Sequence, residues 1–113
     1  MKLRALRVGK ELRVSISGLM VGSDCSCLEH FWSRRVASVD SPRIMLDLDG
    51  IEEIDAVAIA QLVTLTRRTA RPGRPLTITA APQMLAHTLY KIGALRHGSL
   101  TVDSHATEEP YAG

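Results

Sequence analysis

An α/β domain with a mixed, mostly parallel β-sheet flanked by three or four helices is the fold class this sequence predicts. Three observations carry that expectation. Apolar residues switch repeatedly along the chain between a period of two and a period of three to four. The resulting segments run β-β-α-β-α-β-α-β, an alternation that favours parallel strands joined by helical crossovers. Finally, Pro and Gly fall at most of the junctions. With 113 residues there is room for one core, assigned to residues 1–102. Residues 103–113 form an acidic C-terminal tail with too few apolar anchors to predict order.

The elements follow in order. Leu3, Ala5 and Val8 give a weakly alternating strand, and Gly9-Lys10 a turn. Leu12, Val14 and Ile16 then alternate with Arg13, Ser15 and Ser17, which predicts a half-buried strand ended by Gly18 and paired with the first as an edge hairpin. Ser23 or Asp24 can cap a helix whose apolar stripe is Cys25, Leu28, Trp32, Val36 and Val39. Asp40-Ser41-Pro42 breaks it.

Ile44, Met45 and Leu46, continued by Leu48, form an unbroken apolar run, the pattern of a parallel strand covered on both faces. After Asp49-Gly50 and Ile51–Ile54, Asp55 has the chemistry of a helix cap. It opens a helix to about Ala70, with Ile59, Leu62, Val63 and Thr66 on one stripe. Arg71-Pro72-Gly73 stops that helix. Leu76, Ile78 and Ala80 make the next strand, and Pro82 starts a helix through Leu85, Leu89 and Ile92 that Gly93 ends. Leu100-Thr101-Val102 is a last short strand.

Charge is nearly balanced, 14 basic against 12 acidic residues for a net of +2. That excess is too slight to imply nucleic acid or a membrane surface. The longest apolar run, Ala56–Ala60, is far short of a membrane span, so no membrane insertion is expected. Met1–Val8 is interrupted by Lys2, Arg4 and Arg7, unlike a secretory leader. Cys25 and Cys27 would close a very small strained ring as a disulfide, and two thiolates cannot complete a zinc shell. A cytoplasmic location is the expectation.

Four clusters bear on chemistry. Asp47, Asp49, Glu52, Glu53 and Asp55 could hold a magnesium ion, but acids beside a helix start also offset its dipole and cap its amides, and capping is the preferred reading. The same acids discourage a phosphate, and Gly18 and Gly22 lack the spacing of a phosphate loop. Arg67, Arg68, Arg71 and Arg74 either dock an acidic partner or, in the favoured reading, compensate a helix C-terminus. Leu19, Met20 and Val21 are either strand continuation packed inside or an exposed apolar patch. Cys25 and Cys27 have only His30 nearby in sequence, while His87, His97 and His105 are scattered. No nucleophile and base can be paired, so no enzyme, metal or cofactor is assigned.

The stretch Ile44-Met45-Leu46-Asp47-Leu48-Asp49-Gly50-Ile51-Glu52-Glu53-Ile54-Asp55, followed by Ala56-Val57-Ala58-Ile59, resembles the STAS domain (sulfate transporter and anti-sigma factor antagonist). Arg71–Leu76 and Leu89–Leu95 resemble further segments of that family, and weaker likeness reaches back to about residue 3. The resemblance implies a STAS-like fold and a regulatory protein-interaction module. It also places at Ala56 the hydroxyl that kinases phosphorylate in signalling relatives, so this copy cannot take phosphate there. Ala58 stands where the family usually has Gly, and Val21 where many members have Asp. The implied partner-binding surface is Leu19, Met20, Val21, Glu52, Glu53, Asp55, Ala56, Val57 and Ala58. The implied partner is a histidine-kinase-like anti-sigma factor or, alternatively, the ATPase of a lipid-transporting ABC transporter. A small-ligand or nucleotide sensor is a further alternative.

Overall fold

A computed structural model describes residues 1–95 and 100–102 of the chain. The edge hairpin is formed by β1 (Lys2–Val8) and β2 (Glu11–Met20), antiparallel, with Leu3 opposite Ile16 and Ala5 opposite Val14. A 3-10 turn at Gly22–Asp24 leads into α1 (Cys25–Arg35). Then come β3 (Arg43–Asp47), β4 (Ile51–Ile54), α2 (Ala56–Thr69), β5 (Leu76–Ala80), α3 (Gln83–Lys91) and β6 (Leu100–Val102). The sheet order is β1-β2-β3-β5-β6, parallel from β2 onward, and β4 pairs in parallel with the far end of β2. This is the mixed, mostly parallel sheet with three α-helices that the sequence predicts.

Two strand expectations need correction. Gly18 does not end β2. It adopts φ +86°, which an L side chain rarely tolerates, and the strand continues to Met20 past a register shift at which Glu52 of the partner strand is left unmatched. The freed far end of β2 recruits Ile51–Ile54 as β4, a strand the sequence pattern did not announce. The second correction concerns β3, which is covered on one face only. Ile44, Leu46 and Leu48 are buried, whereas Met45 is half-buried and Asp47 exposed. Met45 lies in register with Arg13 and Thr77, and those strands alternate in the same way. The described helices therefore pack against one face, where Val14, Ile16, Leu46, Leu76 and Ile78 are essentially inaccessible.

Helices α1 and α2 meet over that face along a seam of Leu28, Trp32, Leu62, Leu65 and Thr69. Trp32 is fully buried, and its indole N–H donates to Thr69 Oγ1 at 2.7 Å, so a polar handle inside the core is satisfied. Because every crossover returns to a parallel strand, β2, β3, β5 and β6 all finish at one end of the molecule, where α1, α2 and α3 begin. The opposite end collects strand starts and helix ends. The acidic tail predicted for 103–113 lies outside the described residues.

Candidate partner-binding site

The site is built where β2 and β4 finish and α2 begins. Pairing of Leu19 with Glu53 and Met20 with Ile54 sets the two segments side by side, and Asp55 N–H donates to Met20 O at 3.2 Å. Asp55 then turns the chain into α2. Its Oδ1 accepts from Ala58 N–H at 2.8 Å, a helix cap, and its Oδ2 accepts from Gly22 N–H at 2.8 Å across the β2–α1 loop. The N–H groups of Gly22, Ala58 and Val57 hold this carboxyl below the ordinary Asp value, partly opposed by desolvation. Asp55 is thus anionic at neutral pH with both oxygens engaged.

Gly22 also makes a close approach. A Cβ at that position would lie 2.9 Å from Val57 Cβ, so the loop backbone rests directly on the first turn of α2. Ala56 and Val57 face outward, Val57 with 62% of its surface accessible, and Glu52 and Glu53 are exposed beside them. Leu19 is 49% accessible and Val21 half-buried. The three apolar residues of this segment therefore divide. Met20 is strand continuation packed inside, and Leu19 projects into solvent. Met20 and Ala58, both buried, shape the surface from beneath and present nothing to a partner, because both point toward the core over which β2 and α2 pack.

Behind the exposed acids lies a cleft of about 440 Å³ lined by Val21, Ile51, Ile54, Ile59, Met84 and Leu85, with Glu52, Glu53 and Asp55 at its rim. The α3 contribution, Met84 above all, was not legible in sequence. Met84 is 80% accessible and sits at helical spacing among buried residues, so only its place in the cleft with Ile51 and Ile54 marks it.

The remaining clusters resolve as follows. Asp47 Oδ1 accepts from Asp49 N–H, an ordinary turn contact. Among the described residues no three His, Cys, Asp or Glu side chains gather as they would around a metal ion. Arg68 pairs with Glu29 and Arg71 with Asp40, at 3.6 and 3.4 Å, and the Arg74 guanidinium donates to the carbonyls of Ser41 and Thr69. Three of those four arginines are thus engaged within the fold. Cys27 is a free, exposed thiol, and His30 and His87 are exposed. His97, His105 and the Cys25 side chain lie outside what the structure describes.

A family model described as "Mlab, STAS domain" matches residues 4–104. No curated protein sequence matches the chain. Among solved structures, a Thermotoga maritima protein classed as a candidate anti-sigma factor antagonist is similar over 88% of this chain and 85% of its own, with 11% identity and a TM-score of 0.72. A chain of the stressosome, described as a signal integration and transduction hub, is similar over 92% of this chain and 91% of its own, at 17% identity and a TM-score of 0.65. Part of the murine Slc26a9 anion transporter, 18% of that chain, is similar over 92% of this one, at 12% identity and a TM-score of 0.66. At these identities the structural likenesses establish a shared fold.

Proposed function

The chain belongs to the STAS domain family, and from that premise we propose that it regulates by binding another protein and catalyses no reaction itself. The contact surface is the acidic end of the sheet, made by Leu19, Val21, Glu52, Glu53, Asp55, Ala56 and Val57. One observation carries this reading. Ala56 is an exposed methyl at the first position of α2, beside an Asp55 fixed by two backbone amides. In signalling relatives the resemblance puts a phosphorylated hydroxyl at this place. Phosphate would add nearly two negative charges to a surface that already carries Glu52, Glu53 and Asp55, and so release a partner. An alanine cannot be modified in that way. The protein accordingly stays binding-competent, and its control rests on the abundance of the partner.

Likeness in fold to a candidate anti-sigma factor antagonist and to a stressosome chain supports a histidine-kinase-like anti-sigma factor as that partner. A second reading makes the protein a cytoplasmic subunit acting on the ATPase of a lipid-transporting ABC transporter. The occurrence of the same fold inside a membrane anion transporter favours it.

Affinity purification with the chain as bait, from soluble and detergent-extracted fractions, separates the two by the ATPase recovered. The captured partner is then titrated against Ala56→Asp. Binding at least about tenfold weaker is expected for a charge introduced into a contact centre, and unchanged affinity removes this surface from consideration. Ligand sensing is the third reading, supported by the apolar cleft. A rise in Tm with purine nucleotides or fatty acids would replace protein binding with it.

A further inference from the structure

The near-neutral composition conceals a division of charge along the molecule. The last turns of α1, α2 and α3 carry Arg34 and Arg35, Arg67 and Arg68, and Lys91. All three helices finish at the end where the parallel strands begin. Arg7 and Lys10 flank the β1–β2 turn at that same end, Arg43 opens β3, and Arg71 and Arg74 form the turn after α2. Arg7, Lys10, Arg71 and Arg74 line one shallow depression there, around Asp40 and Ser41. Among the described residues three carboxylates offset these ten cations: Glu11 and Asp40 at that end, which pair with Arg43 and Arg71, and Glu29 of α1, which pairs with Arg68. At the opposite end Asp24, Asp47, Asp49, Glu52, Glu53 and Asp55 stand with Lys2.

Helix ends attract cations, but three helix C-termini supply only about half a negative charge each. Dipole compensation therefore accounts for a small part of this excess. Apolar groups accompany it. Tyr90 and Ile92, 71% and 55% accessible, bracket Lys91 at the end of α3, and Val8, 41% accessible, stands between Arg7 and Lys10.

We propose that this basic end docks the protein on an anionic lipid surface. Lysine and arginine meet the headgroups, while the Tyr90 ring, Ile92 and Val8 reach the boundary with the acyl chains. A nucleic acid duplex would use the cations and leave the exposed apolar side chains without a role, so a membrane suits this mixture better. Such a surface attracts one end of the molecule and repels the other. The protein is thereby oriented with Ala56 and its acidic surroundings facing away from the bilayer.

The test is co-sedimentation of the purified chain with vesicles of phosphatidylcholine alone and of phosphatidylcholine mixed with phosphatidylglycerol. Binding is expected only to the mixed vesicles, and to weaken as salt is raised. Lys10, Arg67 and Lys91 make no ion pair among the described residues. The triple variant Lys10→Glu, Arg67→Glu, Lys91→Glu is therefore expected to fold, as its melting curve checks, and to bind at least about tenfold more weakly. The pair Tyr90→Ser, Ile92→Ser is expected to reduce vesicle binding and leave binding to a DNA duplex unchanged. The proposal is overturned by failure to sediment with phosphatidylglycerol vesicles at low salt, by a folded triple variant that sediments as well as the parent, or by tight duplex binding without vesicle binding.

Discussion

Gly22 and Asp55, 33 residues apart in sequence, are joined by a 2.8 Å hydrogen bond from the glycine N–H to Asp55 Oδ2. The other oxygen of the same carboxylate caps α2 through Ala58 N–H. One side chain therefore fixes the helix start and ties the β2–α1 loop to it, which sets where Leu19, Val21 and Val57 stand relative to Ala56. Neither bond works alone to define the surface. The cap orients the carboxylate, and the orientation lets it reach the loop.

Removing that carboxylate has a pH signature. Asp55 is held below its ordinary value when folded, so its contribution is fully present above the unfolded-state pKa near 4 and is lost as pH falls through the lower folded value. Asp55→Ala is expected to melt below the parent at neutral pH, with the gap narrowing in acid below about pH 4. Melting curves of both proteins across that range check it, and a gap that stays constant into strong acid contradicts the assignment.

Gly22→Ala is expected to destabilise by about 1–3 kcal/mol, as overpacking does. The new methyl would meet Val57 Cβ at 2.9 Å, and that atom, fixed to the helix backbone, cannot rotate away. Val57→Ala in the same chain trims the neighbouring Cγ1, 3.0 Å from the new methyl, and is expected to restore only part of the loss. Urea unfolding of the single and double variants measures both.

The parts of this fold that sequence foretold are those written in local periodicity. The strand of Leu12, Val14 and Ile16, the stripe of Leu28, Trp32 and Val36, and the cap at Asp55 each depend on residues a few positions apart. The parts it hid depend on pairing between distant segments. Nothing local says that β2 will run on past Gly18 and pair with Ile51–Ile54, leaving Glu52 unmatched. The apolar run Ile44-Met45-Leu46 suggested a strand covered twice, yet Met45 lies half-buried between Arg13 and Thr77. Charge was legible only in part. The acidic start and basic end of α2 can be read from sequence, but a sum of +2 hides that topology gathers the basic ends of α1 and α3 and the β1–β2 turn beside the latter.

The seam between α1 and α2 offers a stability prediction. Trp32 Nε1 donates to Thr69 Oγ1, which in turn donates to Leu65 O, all within the core. Trp32→Phe removes one donor and some volume, and is expected to cost about 1–3 kcal/mol. Thr69→Val should add less to Trp32→Phe than it costs alone, since the bond it breaks is already gone. A double-mutant cycle in urea is expected to return a coupling of about 1 kcal/mol, and strict additivity would show that the bond contributes nothing.

Arg74 and Arg67 separate the structural from the purely electrostatic part of the basic end. The Arg74 guanidinium donates to Ser41 O at 2.7 Å and to Thr69 O at 3.1 Å, joining the last turn of α2 to the segment that leads into β3. Arg67, on the same helix end, is exposed. Each loses one positive charge when changed to methionine, which keeps much of the aliphatic stem. Arg74→Met leaves two carbonyls without their charged donor and is expected to cost about 2 kcal/mol, while Arg67→Met should stay within about 0.5 kcal/mol of the parent. Raising salt discriminates further, because screening weakens exposed charge effects and leaves a partly buried hydrogen-bonded fork nearly unchanged. The Arg74→Met deficit is therefore expected to persist in high salt, and its disappearance there would mean that long-range charge, and not the clasp on Ser41 and Thr69, is what this residue supplies.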